Sequence, residues 1–252
     1  MADGFVKTTT IQGITSIEFF HPQSNSLPAV ILNELAAAFN KAANDPGTIV
    51  IILRSAGEKT FCAGASFDEL TAIQSDEEGL RFFSGFASVI NAMRNCPKLI
   101  IGRIHGKCVG GGVGLAASVD YAIAAEGAEV KLSELAVGIG PFVVGPAVER
   151  KIGLAAFTQL AIDASMWRNA DWARRKGLYA ELHPDKEGMD ESVRRLASVL
   201  AHSSPEAMAE MKKVFWKGTE NWDTLLIERA AISGRLVLST FTKNAIEKFK
   251  KK

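Results

Sequence analysis

One glutamate set among apolar residues, and two glycine-bearing turns upstream of it, are the parts of this chain that could do chemistry. Glu134 lies in Leu132-Ser133-Glu134-Leu135-Ala136-Val137, followed by Gly138-Ile139-Gly140-Pro141. A carboxylate in that setting is desolvated unless paired, which lifts its pKa toward values useful for proton transfer. A structural glutamate at a helix start after Ser133 is the alternative. The turns are Lys59-Thr60-Phe61-Cys62-Ala63-Gly64-Ala65 and His105-Gly106-Lys107-Cys108-Val109-Gly110-Gly111-Gly112-Val113-Gly114. Each follows an apolar, strand-like run and leads into a helical pattern. Gly64 and Gly111 carry no Cβ, so a ligand can approach the backbone, and the N–H groups of Ala65 and Gly111 become donor candidates. Two converging N–H donors match the oxygen of a thioester enolate. Close packing of helix on strand is the other use of such turns.

The elements that must hold these residues follow from periodicity. Val6–Thr10 and Ile14–Phe19 read as a hairpin turning at Gln12-Gly13. Residues 27–43 and 76–95 carry apolar positions at helical spacing, the second ending before Pro97. Thr48–Leu53, Leu99–Ile104 and Tyr121–Ala125 read as strands, the first without alternation, as in a strand covered on both faces. Strand–helix alternation predicts an α/β fold with a largely parallel or mixed sheet. Helical patterns dominate from Pro146 on, ending in one long pattern over Trp222–Lys250. The chain therefore divides softly near residue 190, into an α/β core over 1–190 and a helical region over 191–252. The apolar residues of that region, Trp216, Trp222, Leu226 and Phe241 among them, leave two readings open: packing on the parent core or on a neighbouring subunit.

Bulk properties narrow the function classes. The chain has 252 residues, a net charge of +1 and 47% hydrophobic residues, enough for a sizeable core. That charge suggests neither nucleic acid nor an acidic membrane surface, although Lys248-Phe249-Lys250-Lys251-Lys252 is locally basic. Cys62, Cys96 and Cys108 are odd in number with no CxxC pair, which fits a reducing compartment. With no signal-peptide pattern at the start and no apolar run near the ~20 residues of a membrane span, a cytoplasmic protein is expected. The glycine run lacks GxGxxG spacing, Gly106-Lys107-Cys108 is not a P-loop, and no GxSxG occurs. His21, His105, His183 and His202 are scattered, which argues against a metal site or a Ser-His hydrolase. Asp120, between a helix and a strand, reads as a structural hydrogen-bonding group.

Together these residues resemble the enoyl-CoA hydratase/isomerase (crotonase) superfamily over nearly the whole chain. The resemblance rests on Phe61-Cys62-Ala63-Gly64-Ala65, on Gly110-Gly111-Gly112 followed by Leu115 and Asp120, and on Leu132 to Pro141. It implies a core of repeated ββα units with a C-terminal helical region that builds trimers, often stacked as hexamers. It also implies that Ala65 and Gly111 form an oxyanion hole for the thioester carbonyl, with Glu134 as the proton-transfer group. Coenzyme A, arriving as part of an acyl-CoA substrate with no separate cofactor, would lie along Cys62, Ala63, Gly64, Ala65 and Ser66. Gly110, Gly114, Pro141 and Phe142 complete the implied substrate site.

Three departures bear on the reaction. Familiar hydratases of the family place two glutamates around one water; the second matches Glu134, and the first falls at Gly114. The acidic residue usual after the Ala65 position is here Ser66. The glycine-rich stretch after the proline is here Pro141-Phe142-Val143-Val144-Gly145-Pro146, similar to bacterial proteins labelled methylglutaconyl-CoA hydratase, a label tied to leucine degradation within fatty acid metabolism. Phe142, Val143 and Val144 narrow the acyl pocket toward short or branched groups. The implied reaction is hydration of a 2-enoyl-CoA. Double-bond isomerisation with Glu134 as single base, other family chemistry such as decarboxylation or thioester hydrolysis, and acyl-CoA binding without catalysis are the alternatives.

Overall fold

A computed structural model of the chain describes residues 4–250. Met1, Ala2, Asp3 and the last two lysines of the basic terminus lie outside the described residues. The chain opens with the strands β1 (Phe5–Ile11) and β2 (Ile14–Phe20), then β3 (Ser26–Leu27) and α1 (Ala29–Asn44). Next come β4 (Val50–Ser55), β5 (Thr60–Cys62), β6 (Gly64–Ala65), α2 (Phe67–Ala72) and α3 (Asp76–Asn95). A third unit is β7 (Leu99–Ile104), β8 (Lys107–Val109) and α4 (Gly111–Ser118). A fourth is β9 (Tyr121–Ala125), β10 (Val130–Lys131), a 3-10 turn at Leu135–Val137 and α5 (Gly145–Ile162). The remainder is α6 (Ala170–Arg175), β11 (Glu181–His183), α7 (Lys186–Ala201), α8 (Pro205–Phe215), α9 (Trp222–Val237) and α10 (Thr240–Lys250). Repeated ββα units are thus present, as the resemblance implies.

The main sheet runs β1-β2-β4-β7-β9-β11, antiparallel in the first hairpin and parallel thereafter. Strand β7 is buried along its whole length, because helices cover both faces of the sheet. On one face Ile17, Leu53 and Ile100 share a core with Leu35 and Phe39 of α1 and Val89 and Met93 of α3. On the other, Val50, Ile101 and Ile123 meet Met189, Val193 and Ala197 of α7. Residue 190 therefore lies inside a helix packed on the sheet, and Asp190 accepts two hydrogen bonds from Arg103 of β7, at 2.5 and 2.9 Å.

Local chemistry sets the helix bounds. Ser75 caps α3 by accepting from the Glu78 N–H, while Glu78 accepts from the Gln74 N–H, and the helix stops at Cys96 before Pro97. The long C-terminal pattern is two helices, not one. Ser239 accepts from the Thr242 N–H at 3.2 Å and starts α10 afresh. Helix α5 is likewise broken at Gly153, whose φ is +78°. Trp222, Leu226, Ala230 and Val237 of α9 are buried in the chain's own core, whereas Phe215, Ile227 and Phe241 are exposed. All three cysteines are buried and unbridged. No helix among the described residues is long and apolar enough to cross a membrane.

Candidate active site

A second, small parallel sheet, β10-β8-β5, carries both glycine turns away from the main sheet. Residues 60–65 and 107–109 read as turns in the sequence, yet they contain β5, β6 and β8. Pairing of β5 with β8 sets the two turns side by side. Gly64 has φ +85°, and a Cβ there would lie 2.8 Å from the Val109 carbonyl oxygen and 3.3 Å from the Gly111 nitrogen, so only glycine fits. Gly110, with φ +51°, precedes α4, which begins at Gly111.

The two candidate N–H groups are left unused by their elements. Gly111 is the first residue of α4, where an N–H has no partner within the helix. Ser66 donates its N–H to Leu27 of β3 at 3.3 Å, so in the extended backbone the preceding N–H of Ala65 points to the opposite side.

Glu134 stands at the same place. It has helical angles at the head of the 3-10 turn, and its carbonyl accepts from Val137 and Ile139, at 3.2 and 2.9 Å. Its side chain lies over the second turn: a Cβ on Gly110 would fall 3.0 Å from Oε1. Oε2 is out of contact with solvent and has no hydrogen-bond partner. Desolvation pushes the carboxyl pKa up to about 7, against a slight opposing pull from its own backbone N–H. Glu134 thus heads the 3-10 turn without a side-chain capping bond, and its carboxyl borders the cavity instead.

A cavity of about 80 Å3 joins these groups. Of the residues expected from the sequence, Ala63, Gly64, Ala65, Gly110, Gly111, Glu134, Pro141 and Phe142 border it. Cys62, Ser66 and Gly114 do not. Cys62 is fully buried behind the turn, its thiol pushed up to about 12 by burial. Ser66 is the N-cap of α2, accepting from the Glu69 N–H at 3.4 Å. Gly114 is cut off by Val144, which borders the cavity itself.

Sequence reading missed the far wall. Phe67 and Leu70 of α2, Phe83 and Phe86 of α3, and Ser233 of α9 all border the cavity. The aromatic positions belong to helical stripes that look like ordinary core, and nothing in the sequence marks Ser233. Among the described residues no lysine, arginine or histidine borders the cavity, and no group of three metal-ligating side chains occurs. Asp120 lies elsewhere, accepting from Ile100 N–H (2.8 Å), Trp216 Nε1 (3.0 Å) and Lys212 Nζ (2.9 Å).

The model of the family described as enoyl-CoA hydratase/isomerase matches residues 9–251. A probable enoyl-CoA hydratase of Bacillus subtilis is 29% identical over 206 residues, covering 81% of this chain and 79% of the relative. Carnitinyl-CoA dehydratase of Proteus mirabilis is 30% identical over 207 residues, covering 82% and 78%. Among solved structures, an enoyl-CoA hydratase from Bacillus halodurans superposes with a TM-score of 0.87 at 22% identity, covering 96% of this chain and 99% of that one. That last likeness carries the fold, which is crotonase-like. With a match that spans nearly every residue from the first hairpin to the final helix, the chain belongs to the enoyl-CoA hydratase/isomerase family.

Proposed function

We propose that this chain is an enoyl-CoA hydratase-type lyase that adds water to a short or branched 2-enoyl-CoA, with Glu134 serving both proton steps. The observation that carries the reading is the buried Oε2 of Glu134, without a hydrogen-bond partner, on a residue that borders the same cavity as Ala65 and Gly111. The thioester oxygen binds the N–H groups of Ala65 and Gly111. Glu134 takes a proton from water as the water oxygen bonds to Cβ, and the C=C electron pair moves into the thioester enolate. The enolate then takes that proton from Glu134 at Cα, closing the cycle. The N–H pair stabilises charge that exists only after attack, so it favours the transition state over the bound substrate.

The cavity's size and apolar walls support a short acyl group. The lack of a bordering cation among the described residues favours a neutral acyl chain over one with a distal carboxylate, which would be buried unpaired. Coenzyme A enters as part of the substrate, with no other cofactor. A cytoplasmic trimer or hexamer completes the proposal, built on exposed apolar side chains such as Ile162, Val214 and Phe241.

A second reading, double-bond isomerisation, is favoured by Val144 closing off position 114, because a β,γ-to-α,β shift needs one base alone. Incubation in D2O with crotonyl-, 3-butenoyl- and 3-methylglutaconyl-CoA, followed by mass spectrometry, separates the readings. Gain of one water on crotonyl-CoA supports the lyase. A shifted double bond with deuterium uptake and no added water makes the chain an isomerase. If Glu134→Gln retains more than half of the rate, Glu134 is not the base.

A further inference from the structure

Helix α9 reaches the cavity by an unusually close approach. A Cβ on Gly79 of α3 would lie 2.6 Å from the Gly234 Cα, and one on Gly234 would lie 2.7 Å from the Leu80 nitrogen, so the two helices touch backbone to backbone. Glycine weakens a helix interior, and here two are set against each other. The residue next to this contact is Ser233, which borders the cavity and is 1% exposed.

Buried serines in helices ordinarily give their hydroxyl to the carbonyl one turn back. Ser118, fully buried, does so to Gly114 at 2.8 Å. Ser233 makes no such bond, and no partner for its hydroxyl is present among the described residues. A buried hydroxyl without a partner is unfavourable, so the position suits a ligand that brings one. Apart from Ser133 and Glu134, the other side chains that line the cavity are apolar, Phe83, Phe86, Val143 and Val144 among them. A neutral hydroxyl can donate to or accept from another hydroxyl, and it does not compensate a charge.

We propose that Ser233 is a specificity-determining contact for an oxygen on Cβ of the acyl group, namely the hydroxyl of a 3-hydroxyacyl-CoA. This rests on the acyl-CoA reading of the cavity. The thioester oxygen uses the N–H groups of Ala65 and Gly111, and Glu134 handles protons. The oxygen that hydration places on Cβ is the remaining polar atom of the acyl group; two hydroxyls border the cavity, those of Ser133 and Ser233, and only Ser233 is nine-tenths buried.

Binding tests this without requiring turnover. In the full-length Glu134→Gln protein, dissociation constants are measured by calorimetry for butyryl-CoA and for each epimer of 3-hydroxybutyryl-CoA. The better-bound epimer is expected to bind about tenfold more tightly than butyryl-CoA, or about 1.4 kcal/mol, as one neutral hydrogen bond allows. Adding Ser233→Ala removes that preference, and Ser233→Thr keeps most of it. Thermal melts confirm that each variant is folded. An unchanged preference in the alanine variant, or no preference at the start, overturns the role of Ser233 while the lyase reading stands. Failure of both ligands to bind overturns the acyl-CoA reading itself, and this contact with it.

Discussion

Val144 occupies the space that a side chain at position 114 would need. A Cβ built on Gly114 would lie 2.5 Å from Val144 Cγ1 and 2.7 Å from Val144 Cβ. Gly114 is therefore a packing partner of the residue that heads α5, and the two positions can change only together.

Gly114→Glu alone is expected to lose stability, by about 1–3 kcal/mol as for other overpacked cores, with no gain in hydration. Trimming Val144 to alanine is insufficient, because its Cβ is itself in the way. Gly114→Glu with Val144→Gly should recover most of the lost melting temperature. It should also raise hydration of crotonyl-CoA, since a second positioned carboxyl contributes up to roughly 10²–10⁴-fold where geometry permits. Melting curves and initial rates for the four combinations form the test. Equal stability and activity of the single and double variants would sink the coupling.

The pH profile reports how many groups act. Desolvation holds the Glu134 carboxyl near 7, and the base form is its carboxylate. For hydration, kcat/KM should rise with pH through about 7 and then level off, because one carboxylate both takes and returns the proton. An acid and a base on separate residues would give a bell. A falling limb above pH 8, in a protein still folded there, would point to a second acid.

Much of the frame was legible in the sequence because its signals are local and long. Asp76–Asn95 has a Ser75 cap, a helical apolar stripe and a proline stop, and the helix keeps those bounds. Leu99–Ile104 and Tyr121–Ala125 are apolar runs between breakers, and both strands keep theirs. The small sheet was hidden because β5, β6 and β8 have two or three residues each, too few to show a period. Ser239-Thr240-Phe241-Thr242 did carry a capping signal inside the long helical pattern. On the site, glycines and a glutamate in apolar sequence are conspicuous. Val144 is legible as a pocket residue, but its packing on Gly114 of α4, like the place of Ser233 on the cavity wall, depends on elements that lie far away along the chain.

Asp120 anchors the C-terminal helices to the sheet. It accepts from β7 and binds Lys212 and Trp216 of the α8 segment, with the Lys212 and Asp120 side chains 3% and 6% exposed. Removing one partner of a buried pair leaves the other charge uncompensated. Asp120→Ala is thus expected to cost about 3–5 kcal/mol, and Asp120→Ala with Lys212→Met should recover a large part. Urea unfolding midpoints test this. If the double variant is no more stable than the single, the loss comes from the Trp216 and Ile100 hydrogen bonds instead.

Two desolvated groups push stability in opposite directions with pH. Glu134 has its folded pKa raised from 4.5 to about 7, so the folded state holds the extra proton. Its contribution is fully present below pH 4.5 and is lost as pH rises through 7, by up to about 3 kcal/mol. His105 is 2% exposed with neither ring nitrogen hydrogen-bonded. Burial first, then the charges of Arg103 and Lys186, lower its pKa from 6.5 to about 4, against a smaller opposing effect of Glu58. Here the unfolded state holds the extra proton, so stability falls as pH drops from 6.5 to 4. The windows overlap between about pH 4.5 and 6.5, where the two slopes offset each other in the wild-type protein. Glu134→Gln leaves the histidine effect and should make stability rise with pH across that range. It should also melt higher than wild type at pH 8, where the unpaired carboxylate is costly. His105→Leu leaves the glutamate effect and should make stability fall with pH over the same range. Denaturant titrations at half-unit pH intervals on the two variants should give slopes of opposite sign. Slopes of the same sign would mean that one of these side chains finds a partner or water in the folded protein.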